Sequence, residues 1–329
     1  MWCCQAMQRL ITTSTFPVTQ GVFLPAMGLS LGLGASTLRR HRASGLYVPV
    51  SGRALAPRDV EITVEHRAIG ALLTWPDGVV CLRTAACLLA WPVSDGGETD
   101  VLVPNGRRGF GGLVPHQWGV RPTEVIRVGG VRMTDRLTTL ADCLGRLPEQ
   151  EGWGLLAWLW TRDEITAADI ESQIDDRYHL YGVVRLRAML AAVLDGALSL
   201  GEVKFHEFLR EGTFVGWQAD QKVGREGRIV ARVDVLIPDL GIVLEFDGAI
   251  AHNDATAAKD AHRDRALRNE LGLLVEHVTW GDMYERPRHT VLRIRAAIEL
   301  AGAQIAAGVR PYPFLHIDRE KIWARADPR

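Results

Sequence analysis

The alternation of apolar and polar positions changes character twice along the chain, dividing it into blocks over residues 1–60, 61–198 and 199–329. In the first block the run Gly21-Val22-Phe23-Leu24-Pro25-Ala26-Met27 leads through a glycine-rich turn ending at Gly34 into a short helical segment over residues 35–43. Its expected cap is Ser36 or Gly34. Leu46-Tyr47-Val48-Pro49-Val50 then predicts a strand, Ser51-Gly52 a hairpin turn, and Arg53-Ala54-Leu55 the returning strand.

Mixed strands and helices fill the middle block. Residues 78–83 read as a strand leading into a helix over 84–89, and Val101-Leu102-Val103-Pro104 as a strand and turn. Helical spacing of apolar positions predicts helices over 137–147, 152–160, 167–175 and 181–194. No catalytic constellation stands out there; His116, Trp153, Trp158 and Trp160 are expected to pack. The third block predicts a helix over 202–211, strands over 215–223 and 228–237 around the turn 224–227, and a third strand over 241–246 ending at Asp247-Gly248. A polar helix over 256–271, a strand over 273–279 and a helix over 287–300 follow. That order describes a sheet with helices on its faces.

Helix, turn, helix and hairpin is the order of a winged helix-turn-helix. In that arrangement the second helix lies in the major groove and presents Arg39, Arg40 and Arg42, with Arg53 on the wing near a phosphate. The alternative is a small cap with a solvated basic face. The glycine-rich turn is also longer than the roughly three or four residues such a motif normally uses.

The candidate chemistry lies in the third block. Asp234 interrupts an apolar strand, between Val233 and Val235. An ionised carboxylate in that setting is costly unless it is paired or bound to a metal. Glu245 and Asp247 end the next apolar strand, and residues two apart on a strand share a face. If the two strands pair as a hairpin, Asp234 comes near them. Carboxylates converging on one face call for a divalent cation, and Mg²⁺ needs only a few protein oxygens because it keeps several waters. Such an ion polarises a phosphoryl oxygen and lowers the pKa of a bound water. Gly248 permits a sharp turn, and His252 is a possible proton shuttle or extra ligand. The competing reading pairs the acids with Arg225, Arg228 and Arg232.

Charge distribution adds to this picture where net charge does not. The 329 residues sum to −1, yet residues 1–58 carry six arginines (9, 39, 40, 42, 53 and 58) and no acid before Asp59. A basic end on a near-neutral chain suits a polyanion. The preference for Arg over Lys, together with abundant Ala and Gly, reflects a GC-rich genome as readily as nucleic-acid binding. Five cysteines (3, 4, 81, 87 and 143) with no C-x-x-C pair argue against a disulfide framework or zinc ribbon and suit a reducing cytoplasm. Residues 11–38 carry no charge, but Pro17, Pro25, Gln20 and several glycines make a weak membrane span. A basic leader region with a small-residue cleavage site is also lacking. No membrane partner is expected.

At these residues the chain resembles a known arrangement. Arg232-Val233-Asp234-Val235-Leu236-Ile237-Pro238-Asp239, Val243-Leu244-Glu245-Phe246-Asp247-Gly248, Arg263-Asp264-Arg265-Ala266-Leu267 and Val278-Thr279-Trp280 look like the very-short-patch-repair endonuclease domain of the PD-(D/E)XK superfamily, over about residues 199–302. The resemblance implies that Asp234 binds Mg²⁺, that Asp247 and His252 occupy positions where the repair enzymes carry His, and that Glu202 supports from the leading helix; in the nuclease reading Glu245 carries the metal (Mg²⁺ or Mn²⁺) with Asp234. In the superfamily Lys stands where this chain has Asp247, an inversion of charge, and Ala249-Ile250-Ala251 stand where related chains often carry Lys or His. The first two blocks resemble, more loosely, the antitoxin family of type IV toxin–antitoxin (abortive-infection) systems. The residues concerned are the string described for the first block, Leu82-Arg83-Thr84-Ala85-Ala86, Val101-Leu102-Val103-Pro104, and Gly130-Val131-Arg132-Met133-Thr134. Members of that family are DNA-binding repressors.

The expected fold is therefore α/β: a winged helix-turn-helix over 1–60, a mixed α+β antitoxin-like domain over 61–198, and a PD-(D/E)XK endonuclease-like sheet flanked by helices over 199–329. Two functions stay open. One is a cytoplasmic protein that binds double-stranded DNA and carries a Mg²⁺-dependent endonuclease domain. The other is a non-catalytic winged-helix repressor, an antitoxin with a cognate toxin as partner.

Overall fold

The computed structural model describes residues 10–309 except 105, 178–180, 226–227 and 249–253, and omits the side chains of 13 and 254–260. The architecture is mixed α/β, in two compact units, Met1–Ala188 and Met189–Arg329. Among the described residues no helix is long and apolar enough to cross a membrane.

The first unit opens with α1 (Pro25–Ser30), a turn through Gly32, and α2 (Ala35–Ala43). The antiparallel pair β1 (Tyr47–Pro49) and β2 (Leu55–Pro57) follows, with Val48 opposite Ala56. Gly32 has a φ of 87°, the left-handed region that glycine enters without steric cost. Phe23, Leu33, Leu38 and Tyr47 form a small core, and the Ile11 N–H donates to the Tyr47 hydroxyl at 2.9 Å.

The hairpin expected here is present, but it returns at Leu55 instead of Arg53. The reason is tertiary. Ser51 and Ala54 are buried, the Gly52 N–H donates to the Gly111 carbonyl at 2.8 Å, and the Arg53 N–H donates to Thr74 Oγ1 at 3.1 Å. The turn is thus stitched to the elements that follow instead of projecting into water. Val22 and Ala54 share one apolar core with Ala68, Ile69, Val80, Ala85 and Met133. Residues 1–60 and the middle block as far as Ala188 accordingly fall in a single unit.

Within that unit, α3 (Val64–Thr74), β3 (Val79–Val80), α4 (Leu82–Leu88), β4 (Thr99–Leu102), β5 (Leu113–His116), β6 (Val125–Val128) and β7 (Val131–Thr134) come next. The sheet order is β5-β4-β3-β7-β6, with β3 parallel to β7 and antiparallel to β4. Four helices complete it: α5 (Arg136–Arg146), α6 (Glu149–Trp160), α7 (Ala167–Asp176) and α8 (Val183–Leu194). The division between units falls inside α8. All four lie close to the helical periods read from the sequence. Trp153 is buried, while Trp158 and Trp160 are half-buried. His116 packs by polar contact: its Nε2 is 2.7 Å from the buried Asp100 carboxylate.

The second unit contains α9 (Leu200–Glu211), β8 (Gln218–Arg225), β9 (Arg228–Ile237), β10 (Ile242–Asp247), α10 (Asp254–Asn269), β11 (Leu274–Thr279), α11 (Trp280–Tyr284) and α12 (Pro287–Ala306). Its sheet runs β11-β10-β9-β8, antiparallel except for the parallel β10–β11 pair joined through α10. A parallel pair needs such a crossover. Both sheet faces are covered. Phe205 and Leu209 of α9, with Met283 and Ile294, pack on Val235, Ile237, Ile242, Leu244 and Val278. Leu267 of α10 packs on Val233, Leu236, Val243 and Val275 on the other side. That double burial is why Ile242-Val243-Leu244 is apolar without alternation.

Candidate functional site

The antiparallel register of β9 and β10 pairs Val243 with Leu236 and Leu244 with Val235. One step further along the same register sets Glu245 opposite Asp234. The Phe246 N–H donates to Asp234 Oδ2 at 2.8 Å, so this carboxylate caps the end of the pairing. The two acids expected to meet therefore do meet, close enough for each to shift the other's pKa.

Electrostatics follow from that closeness. Burial raises the Asp234 pKa, opposed by the Phe246 N–H and by Arg263. Glu245 is only 3% exposed. Burial, and then the charge of Asp234, pushes its carboxyl up to about 8, with Arg263 pulling the other way. Arg263 reaches from α10 to donate to Glu245 Oε1 at 2.8 Å and to the Arg232 carbonyl at 2.5 Å. Two carboxyls in a low-dielectric site cannot both ionise without further positive charge.

Asp247 turns to a different partner. Its Oδ2 lies 3.0 Å from Nδ1 of His277, whose Nε2 is 2.8 Å from Asp264 Oδ2. His277 pairs with Glu245 across the parallel strands, so this Asp–His–Asp chain runs beside the Asp234–Glu245 pair. Burial alone would lower the His277 pKa; the hydrogen bonds to Asp264 and Asp247 outweigh it and raise it.

Glu202 sits in the first turn of α9. Its carboxylate accepts the Leu198 N–H at 2.9 Å and the Ser199 hydroxyl at 2.8 Å, while Ser199 caps the helix. It is a capping residue whose pKa is raised by burial, with Asp234 close enough to add to the shift. Asp220 belongs to the same neighbourhood. It stands opposite Asp234 in the β8–β9 register, at a left-handed φ of 53°, and forms an ion pair with Arg232. The expected Arg232 pairing with the site acids therefore goes to Asp220. His252 lies outside the described residues.

Sequence reasoning missed His277, Asp220 and the part played by Arg263. The signal for His277 was present: a histidine inside the apolar strand Leu274–Thr279 needs partners.

Oxygen donors, one of them buried and one half-buried, suit a hard cation such as Mg²⁺. Among the described residues no group of three His, Cys, Asp or Glu side chains converges to hold a metal. The geometry gives the reason. Asp247 is held by His277, Glu202 by its helix cap and Glu245 by Arg263; Asp234 and Glu245 are the two that lie together and would hold a cation.

In the first unit Arg39, Arg40, Arg42 and Arg53 are all exposed. None of them forms an ion pair among the described residues, whereas Arg67, Arg83, Arg121 and Arg177 are each paired with an acid. Leu38 and His41 are the buried positions of α2, so its outer face is basic. No family model matches the chain, and no curated protein is similar to it.

Proposed function

We propose that the second unit is a Mg²⁺- or Mn²⁺-dependent endonuclease of the PD-(D/E)XK type, carried by a protein that binds double-stranded DNA through the basic face of α2. The pairing of the half-buried Asp234 with the buried Glu245 is the observation that carries this reading. A carboxyl pair raised in pKa at the junction of two strands is costly to keep unless something uses it. Asp234 and Glu245 would hold the cation, which when bound activates water and offsets phosphoryl charge. Arg263 fixes the Glu245 rotamer, and Glu202 caps the helix beside the pair. The helix–turn–helix–hairpin order and the unpaired arginines support a winged-helix DNA contact. Free Cys81, Cys87 and Cys143 agree with a cytoplasmic setting.

A second reading, a non-catalytic repressor or type IV antitoxin acting with a toxin partner, is favoured by one feature. Glu245 and Asp247 already have protein cations, Arg263 and His277, as partners.

Supercoiled plasmid incubated with Mg²⁺ or Mn²⁺ separates the two. The nuclease reading expects nicking by the wild type that EDTA stops, with a loss of about 10²–10³-fold in Asp234→Asn. A retarded band without cleavage, in either metal, points to the repressor.

A further inference from the structure

An acidic site that is to hold a polyanion needs positive charge facing solvent. The guanidinium groups nearest the pair are committed. Arg263 is on Glu245 and the Arg232 carbonyl, and Arg232 is on Asp220. His277 stands one strand beyond, in register with Glu245.

Its hydrogen bonds define its chemistry. Nδ1 faces one carboxylate oxygen at 3.0 Å and Nε2 faces another at 2.8 Å. Carboxylates accept and do not donate, so satisfying both bonds requires an N–H at each ring nitrogen, the imidazolium form. The two partners are unequal. Asp264 is 26% exposed and lies 3.9 Å from Arg268 on the same helix, which backs it. Asp247 is 43% exposed and ends β10, and the imidazole between them is 36% exposed. An incoming anion can replace Asp247 far more readily than Asp264.

We propose that His277 is a phosphate-binding residue of this site: its Nδ1–H passes from Asp247 to a non-bridging oxygen of a DNA phosphate, while Nε2–H stays on Asp264. Asp264 is then a positioning residue, and Asp247 a stand-in that occupies the phosphate subsite until DNA arrives. The substrate class rests on the reading of the second unit as a nuclease-type site, although phosphate binding itself does not require cleavage.

The test uses the full chain, labelled with ¹⁵N, and thymidine 3′,5′-bisphosphate as the probe. The expected result is a shift of the His277 Nδ1 resonance on addition of the probe, with Nε2 nearly unmoved. His277→Gln should bind the probe about tenfold more weakly, and His277→Arg should recover most of that loss, as expected for a charge-assisted bond. Asp247→Ala, which removes the competing acceptor, should bind at least as tightly as the wild type. Equal affinity in wild type and a folded His277→Gln overturns the proposal. So does a wild-type Nδ1 resonance that stays put at saturating probe, a measurement that needs no variant to fold. If the probe depends on His277 while plasmid stays intact in Mg²⁺ and Mn²⁺, phosphate binding stands and the nuclease reading falls.

Discussion

Glu245 holds a proton in the folded chain that it would release when unfolded, because burial and Asp234 raise its pKa from 4.5 to about 8. The sign of its effect on stability follows. Between those two values the folded state binds more protons than the unfolded state, so stability falls as pH rises through that window and levels off above it. Glutamine keeps the shape of the protonated acid and cannot ionise. Glu245→Gln should therefore match the wild type near pH 5 and be more stable by about 2 kcal/mol near pH 8.5, a figure reduced for solvent screening and for the weakened Arg263 contact. Urea unfolding at both pH values reads the difference. A gap that does not change with pH would show that Glu245 is ionised throughout. Added Mg²⁺ should stabilise the wild type at the higher pH and leave Glu245→Gln unmoved, since the cation favours the ionised pair.

At the scale of elements, the site depends on how closely α9 lies against β10. Gly201 is where they approach. A Cβ there would press into the Phe246 ring, and Phe246 supplies the N–H that holds Asp234. Gly201→Ala should cost about 1–3 kcal/mol by overpacking and should lower any activity of the site in step with the displaced backbone. Gly154, exposed on α6 with nothing within 4 Å of a built Cβ, is the control. Gly154→Ala should stabilise by about 0.5–1 kcal/mol, because glycine is the poorer helix residue. Equal effects from the two changes would contradict the close packing. These elements also show what a sequence reveals. β9 and β10 could be read because apolar runs broken by one acid leave few alternatives, and their hairpin needs only local pairing. The partner of Asp247 could not be read. It lies 30 residues away, on a strand that becomes a neighbour only through the α10 crossover. Asp220 was hidden for a similar reason: its place opposite Asp234 depends on the β8 register and an unusual φ. The hairpin turn at Ser51-Gly52 could be read, but the later return at Leu55 could not, because Gly111 and Thr74, which hold the turn, are distant in sequence.

For the whole molecule, a net charge of −1 gives no general attraction to DNA. Any salt-sensitive binding must come from a local patch. The exposed, unpaired Arg39, Arg40, Arg42 and Arg53 form the candidate, and residues 1–58 contain no acid to offset them. Each phosphate contact contributes about 0.9 to the slope of log K against log salt on duplex DNA. Arg39→Ala combined with Arg40→Ala should thus flatten that slope by about 2 and weaken binding at low salt, with little change in thermal stability because both side chains are exposed. Fluorescence anisotropy on a duplex across a salt series measures the slope directly. Were the double variant to keep the wild-type slope, α2 would not be the contacting helix and the basic face would be only a solvated surface. A reduced slope with the same relative affinities across sequences would assign these two arginines to the backbone. A reduced slope accompanied by lost preference for one sequence would place them on base edges, as a recognition helix requires.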